Sequence, residues 1–325
     1  MRQLIQPILT GNVLDEAYFD LLFKYIPLTF RSEQKNQVFF TLPDLCCQAC
    51  GGSMQTSRPI FVAWYLLLLG AKILDDVEDG DIKDEMAITI NATTGLHFLI
   101  QFILRELEKN PETCANSQPI ILELNRMMLH ACAGQHADLL AIKGDQEEID
   151  PERWLAIARA KSGEFFAWAA WAGALAGDAT VSVANRYRTF GYYLGILIQI
   201  ADDYNDVWSN QHQLALIKGR SSLPIIYALF VLKGEEKNQL TTLLTKVQQG
   251  NQEAEKRVLQ KLTAIGAQSY LLVTARTHYL QALATLQQAI PDISEAHPLR
   301  LLLDQAFPAI DPASHEGKET NISPK

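Results

Sequence analysis

Apolar residues recur at i, i+3 and i+4 from one end of the chain to the other, and strand-like alternation bounded by turn residues is hard to find. That regularity leaves little room for a sheet and predicts an all-α protein. Helices are expected at roughly 13–26, 42–51, 58–80, 84–109, 117–143, 151–176, 182–209, 221–232, 236–249, 252–264, 267–290 and 296–306. The breaks carry the punctuation such helices need. "KNPETCANSQP" and "KGDQEEIDPE" are polar loops, with Pro151 suited to a first helical turn, and "AGDATVS" and "QQGNQEA" supply Gly, Asp and Asn for turns. No solenoid-period repeat and no mid-chain linker divides the sequence, so residues 1–307 are expected to form one helical domain. The end of the chain, "DPASHEGKETNISPK", lacks apolar periodicity, and 308–325 are expected to be a disordered polar tail.

Composition narrows the function classes. Of 325 residues 48% are hydrophobic, which suits a sizeable core, and the formal charge of −9 comes without any Lys/Arg cluster. No nucleic-acid partner is expected; a cationic or metal-borne partner fits better. The apolar runs "PIFVAWYLLLLGA" and "FFAWAAWAGALAG" fall short of the ~20 residues that span a bilayer, so they read as core helices and no transmembrane segment is expected. The N-terminus shows no charged start, apolar h-region and cleavage site, which predicts a cytoplasmic protein. Three of the five cysteines crowd into "LCCQAC" without a fourth metal ligand at suitable spacing; Cys46, Cys47 and Cys50 read as small packing residues.

The chemistry concentrates in aspartates. "ILDDVEDGD", residues 73–81, puts five carboxylates in seven positions after the most apolar run. On a helix Asp75 and Asp79 share a face at i and i+4, with Asp76 a quarter-turn round. Adjacent carboxylates repel unless a cation sits between them. All-oxygen ligands suit Mg²⁺ or Ca²⁺, and a site that leaves most positions to water or phosphate suits Mg²⁺, with Mn²⁺ as a substitute. Taken alone, such a cluster reads by default as a solvated acidic helix end. The spacing returns, however, in "QIADDYNDVW" as Asp202, Asp203 and Asp206, again after an apolar helix, "GYYLGILIQI". In a bundle, two such helices can face each other across one cavity, Gly191 and Gly195 permitting close approach. Facing aspartate triads would hold several Mg²⁺ ions against a diphosphate, and an apolar pocket would take a hydrocarbon chain.

In order and approximate spacing, "DDVED", "GQHADL", "KSGEFFAWA", "QIADDYND" and "KGRSSLPIIYAL" resemble the trans-type isoprenyl (polyprenyl) diphosphate synthase family over about residues 40–232. The paired aspartate motifs, 202 − 75 = 127 residues apart, are the specific part. The resemblance implies an isoprenoid synthase type I helical bundle around a central apolar cavity. It further implies a homodimer and an allylic prenyl diphosphate gripped by Mg²⁺ ions on Asp75, Asp76, Asp79, Asp202, Asp203 and Asp206. By family position Lys161 adds a cation to the leaving group, Arg220 stands where a lysine is usual, and Gln135 and Gln199 line the pocket.

The chain also departs from the family pattern. The family's "GGKRxRP" stretch is "GGSMQTSRP", with Ser53 and Met54 for the first basic pair and only Arg58 kept. Leu68 stands at a usual histidine, and no Arg-Arg-Gly follows the first motif. A second diphosphate, that of isopentenyl diphosphate, would be held poorly without those cations. Two family variants match such a loss: synthase-like terpene synthases and ComQ-type peptide prenyltransferases. A catalytically silent partner subunit is a further class, although such subunits usually lose the aspartates and all six stand here. Gly70 and Ala71, small residues where short-product enzymes place aromatics, predict an allylic chain of C15 or longer. Trp64, Tyr65, Phe165, Phe166 and Trp168 are candidates to face a carbocation. Glu78 and Asp81 have no assigned role.

Overall fold

The computed structural model describes residues 2–12, 15–26, 37–78, 80, 82, 85–143, 150–208 and 222–310. Among them there is no strand. The helices are α1 (Arg2–Asn12), α2 (Glu16–Tyr25), α3 (Leu42–Ala49), α4 (Met54–Glu78), α5 (Met86–Leu104), α6 (Glu106–Lys109), α7 (Cys114–Lys143), α8 (Pro151–Ala158), α9 (Glu164–Ala176), α10 (Val181–Trp208), α11 (Leu223–Val231), α12 (Gly234–Gln248), α13 (Gln252–Ala264), α14 (Ala267–Ala289) and α15 (Pro298–Ala306). A π-helical turn, Arg159–Gly163, joins α8 to α9 inside what the sequence reads as one helix. The chain groups into two compact units, 1–126 with 168–188, and 127–167 with 189–325, so the division falls within α7, α9 and α10.

In the first unit, α4 is buried nearly all round. Ile60, Val62, Ala63, Trp64, Leu66 and Leu67 are inaccessible or almost so, and the Trp64 indole N–H donates to the Phe39 carbonyl at 3.0 Å. The helix begins four residues earlier than the sequence suggests because Ser53 caps it. Thr56 N–H donates to Ser53 Oγ at 3.3 Å while Ser53 N–H donates to Thr56 Oγ1 at 3.0 Å, a reciprocal pair that satisfies two backbone donors at the helix start. The alanine-rich end of α9 packs on α3 by its glycines. A Cβ on Gly173 would collide with the Pro43 backbone, and one on Gly177 with the Cys47 carbonyl. Cys46 and Cys47 are buried, Cys50 is half-buried and all five cysteines are unbridged, in line with their reading as packing residues. Residues 2–12, where the sequence pattern assigns no helix, form α1, whose Ile5 and Leu9 are buried one turn apart.

One stretch among the described residues, Met86–Lys109, is long and apolar enough to cross a membrane by length and composition; 44% of its best window is buried within the protein. Its inner face packs on α4. Its outer face leaves Phe98 and Phe102 exposed beside exposed Leu122 of α7, where Gln101 bonds Asn125 at 3.0 Å.

In the second unit, α11 to α14 enclose a core of Ile225, Ala228, Leu240, Leu244, Val258, Leu262 and Ala267, onto which Val207 of α10 packs. Tyr227 and Tyr270 stack with ring centroids 4.2 Å apart. α15 is tied to α14 by Tyr279, which donates to Asp304 at 2.6 Å and accepts from Arg300 at 2.7 Å. The π turn is held from two sides at backbone distance. A Cβ on Gly195 of α10 would lie 2.5 Å from the Ser162 carbonyl oxygen, and one on Gly134 of α7 would lie 3.0 Å from Lys161 N. The wide turn fits because both neighbours lack a side chain there.

Candidate active site

In the first unit, Asp75 and Asp76 stand half-buried in the last turns of α4. Lys72, which sequence reasoning passed over, reaches Asp76 Oδ1 at 2.5 Å from one turn earlier. The Lys72 side chain is 69% exposed, so the pair contributes little stability, about 0.3–0.5 kcal/mol, and yields readily to a stronger cation. Arg58 is exposed near the start of α4 and pulls down the pKa of buried Asp44. Burial outweighs it, together with the Ser57 hydroxyl bonded to Asp44, and that carboxyl stays above its ordinary range. Gly70 is buried, 3.5 Å from the Thr93 methyl by its virtual Cβ, and Ala71 is exposed. Asp79, Asp81 and Arg220 lie outside the described residues.

In the second unit, three elements bring chemistry together. The π turn carries Lys161, whose ammonium bonds Asp138 of α7 at 3.1 Å; both side chains are about three-quarters buried. The next residue, Ser162, donates to Gln199 Oε1 of α10 at 2.9 Å, fixing the orientation of that amide. Gln135 is half-buried one turn before Asp138. Asp138 and Ser162 are functional candidates that pattern reading missed. Both lie inside stretches singled out for their resemblance, "GQHADL" and "KSGEFFAWA", but only the fold shows what they touch.

The end of α10 presents Asp202 and Asp206 to solvent and turns Asp203 inward, 9% exposed. Burial pushes the Asp203 carboxyl up to about 8. The Leu223 amide, donating to its Oδ2 at 2.6 Å, opposes that shift; the charges of Asp202, Asp206 and Asp138 add to it. Four carboxylates therefore share a neighbourhood, and among the described residues Lys161 is paired with one of them, Asp138; such a concentration of acids is a place that attracts positive charge.

Among the described residues no three His, Cys, Asp or Glu side chains gather closely enough to enclose a metal ion unaided. The donors are all carboxylate oxygens, half-buried at Asp75 and Asp76 and open to solvent at Asp202 and Asp206. That fits Mg²⁺, which takes one or two carboxylates and completes its shell with water and substrate phosphate, better than it fits a preformed protein cage.

Comparison with known proteins follows the same lines. Residues 41–262 match the family model for polyprenyl synthetase. A geranylgeranyl diphosphate synthase from Methanosarcina mazei is 25% identical over 237 residues, 70% of this chain and 71% of the relative. The tryptophan prenyltransferase ComQ from Bacillus subtilis subsp. natto is 27% identical over 231 residues, covering 66% and 67%. Two other curated relatives, a geranylgeranyl diphosphate synthase and a heptaprenyl diphosphate synthase component 2, are matched over only 55% and 57% of their length. The fold is that of a polyprenyl synthetase from Streptomyces coelicolor, with a TM-score of 0.76, 21% identity and 94% and 97% of the two chains covered. A geranylgeranyl pyrophosphate synthase from Corynebacterium glutamicum, solved with calcium and isoprenyl diphosphate, superposes with a TM-score of 0.73 at 19% identity, covering 94% of each chain. The architecture is thus the all-α isoprenoid synthase fold.

Proposed function

Because this chain belongs to the polyprenyl synthetase family, a family of prenyltransferases, we propose that it ionises an allylic prenyl diphosphate with the help of Mg²⁺ and transfers the prenyl group to an acceptor. The observation that carries the reading is the gathering of Asp138, Asp202, Asp203 and Asp206 around α10 with Lys161 as the neighbouring cation. Calcium and isoprenyl diphosphate in a protein of the same fold support a divalent ion and a prenyl diphosphate here.

In this reading the aspartates of the first motif, Asp75, Asp76 and Asp79, supply oxygen ligands to Mg²⁺, and so, separately, do Asp202 and Asp206 of the second. Mg²⁺, when bound, would act as a Lewis acid on the diphosphate oxygens. Lys161, steadied by Asp138, places a positive charge beside the departing diphosphate, as Arg220 does from the position where the family has a lysine. Gln135 and Gln199 orient polar groups; Ser162 keeps Gln199 in place. As the C–O bond breaks, its electron pair leaves with the diphosphate, and the allylic cation needs dry walls. Phe165 and Phe166, both buried, exclude water there. The acceptor then adds its electron pair to the cation and loses a proton.

The acceptor site differs from that of a chain-elongating enzyme. Ser53, standing where a cation is usual, is committed to capping α4, and Met54 beside it is 64% exposed. Neither holds a diphosphate, which supports a degraded isopentenyl diphosphate site. That loss favours a second reading of the acceptor, a peptide side chain, since the ComQ relative is a tryptophan prenyltransferase. The exposed Phe98, Phe102 and Leu122 face supports a homodimer.

The test is diphosphate release and product analysis with Mg²⁺ and C10, C15 or C20 allylic diphosphate, each with and without isopentenyl diphosphate. Release without isopentenyl diphosphate, strongest with C15 or longer, is expected. Release of cyclic or hydroxylated terpene as the sole product would identify a terpene synthase. No turnover with any substrate would refute the enzyme reading.

A further inference from the structure

The first turn of α11 can be accounted for donor by donor. Pro224 has no N–H, and the N–H groups of Ile225 and Ile226 both return to the Ser222 carbonyl at 3.1 and 3.0 Å. The Leu223 N–H is left, and it is fully buried in a turn where Leu223, Pro224, Ile225 and Ile226 are all buried. Ser222 stands at the N-cap, yet its side chain makes no capping bond, and its buried Oγ has no partner among the described residues. The cap comes instead from 20 residues upstream. Asp203 Oδ2 accepts from Leu223 N–H at 2.6 Å, which puts a carboxylate at a helix start, where negative charge is favoured.

The three aspartates of this motif therefore have different surroundings. Asp202 and Asp206 are open to solvent, whereas Asp203 points into the protein with one oxygen already committed. We propose that Asp203 is a positioning residue, whose carboxylate caps α11 from α10 and so fixes the end of α10 that presents Asp202 and Asp206. The cap stands on the geometry alone; its consequence for the reaction rests on the function proposed above.

Asparagine separates the two roles, since its amide oxygen still accepts from Leu223 N–H but carries no charge for a metal. Hydrogen exchange of overlapping peptides across 222–231 is measured on the full chain in EDTA for Asp203→Asn and Asp203→Ala. Exchange at the start of α11 is expected to rise about tenfold or more in Asp203→Ala and to stay within about twofold of the parent in Asp203→Asn. The Mg²⁺ concentration for half-maximal diphosphate release from a C15 substrate is expected to rise about tenfold in Asp202→Asn and to change less than about threefold in Asp203→Asn. A metal requirement in Asp203→Asn as high as in Asp202→Asn overturns the assignment, as does unchanged exchange in Asp203→Ala. If no variant, nor the parent, turns over any prenyl diphosphate, the functional reading fails, while the exchange data still decide the cap.

Discussion

Replacing Gly195 by alanine tests the contact that holds the π turn. The new methyl would sit 2.5 Å from the Ser162 carbonyl oxygen, 2.9 Å from its carbon and 3.0 Å from Gly163 Cα, all backbone atoms. Ordinary contact begins near 3.4 Å, so the turn and α10 must separate by about 0.9 Å, the difference between 3.4 and 2.5. Overpacking of this kind costs about 1–3 kcal/mol, and a clash with backbone on three atoms belongs at the upper end. Alanine regains about 1 kcal/mol of helix propensity, which leaves a net loss of about 2 kcal/mol. At 2–4 °C per kcal/mol for a sizeable domain, the melting temperature should fall by about 4–8 °C. Activity should fall further than stability suggests, since the same displacement moves Lys161 and the Ser162–Gln199 bond; a 1 Å misplacement costs about 10²-fold in rate. Thermal unfolding and kcat/KM are the assays, with Gly70→Ala as the control. There the nearest atom would be 3.5 Å away, so propensity wins and the melting temperature should rise by about 2–4 °C. If Gly195→Ala is stabilised like Gly70→Ala and keeps full activity, the close approach and the account of the π turn built on it are wrong.

Lys161→Gln should lower kcat by about 10²–10³-fold with a folded far-UV spectrum, and Asp138→Asn should produce a smaller loss because it frees rather than removes the ammonium. Glu123, paired with Arg126 and Arg188, has its pKa held below the ordinary 4.5, first by the Arg126 bond. A depressed carboxylate contributes stability that is present above the unfolded pKa and lost as pH falls through the folded one, so Glu123→Gln should cost up to about 1 kcal/mol at pH 7 and progressively less as pH falls below the ordinary 4.5, measured by denaturant melts. His278 is the reverse ionisation with the same slope. Burial lowers its pKa below 6.5, so the folded state resists its proton and stability should decline as pH drops below about 6.5, a decline that His278→Gln would shrink. Ala71→Phe should shift preference from C20 toward shorter allylic diphosphates in product analysis.

The helical periodicity made most elements legible, and α13 and α14 begin where the sequence puts them. Prolines misled where the pattern did not. Pro59 and Pro119 stand at the sixth residue of α4 and α7, so reading helix starts near them placed both starts three or four residues late. Ser53, capping with Thr56, was the true start signal of α4. Pro7 similarly concealed α1. The aspartates were legible because clustered charge is costly and the spacing occurs twice. Their partners were not. Nothing local in "GQHADL" says that Asp138 meets Lys161, and nothing in "RAKSG" announces a π turn, because both follow from glycines 27 residues before and 34 residues after Lys161, by 161 − 134 and 195 − 161.

The π turn also sets a rule for how this chain tolerates change. A straight α-helix advances about 100° per residue, so one additional residue between α8 and α9 rotates everything downstream by that angle. Phe165, Phe166, Ala167, Trp168, Ala169 and Ala170 are buried in succession, so a change of phase reaches side chains on every face of α9. Substitutions at Ala160 change one side chain. A single-residue deletion there would reset the phase of all of α9, so this helix should accept altered letters far more readily than an altered count.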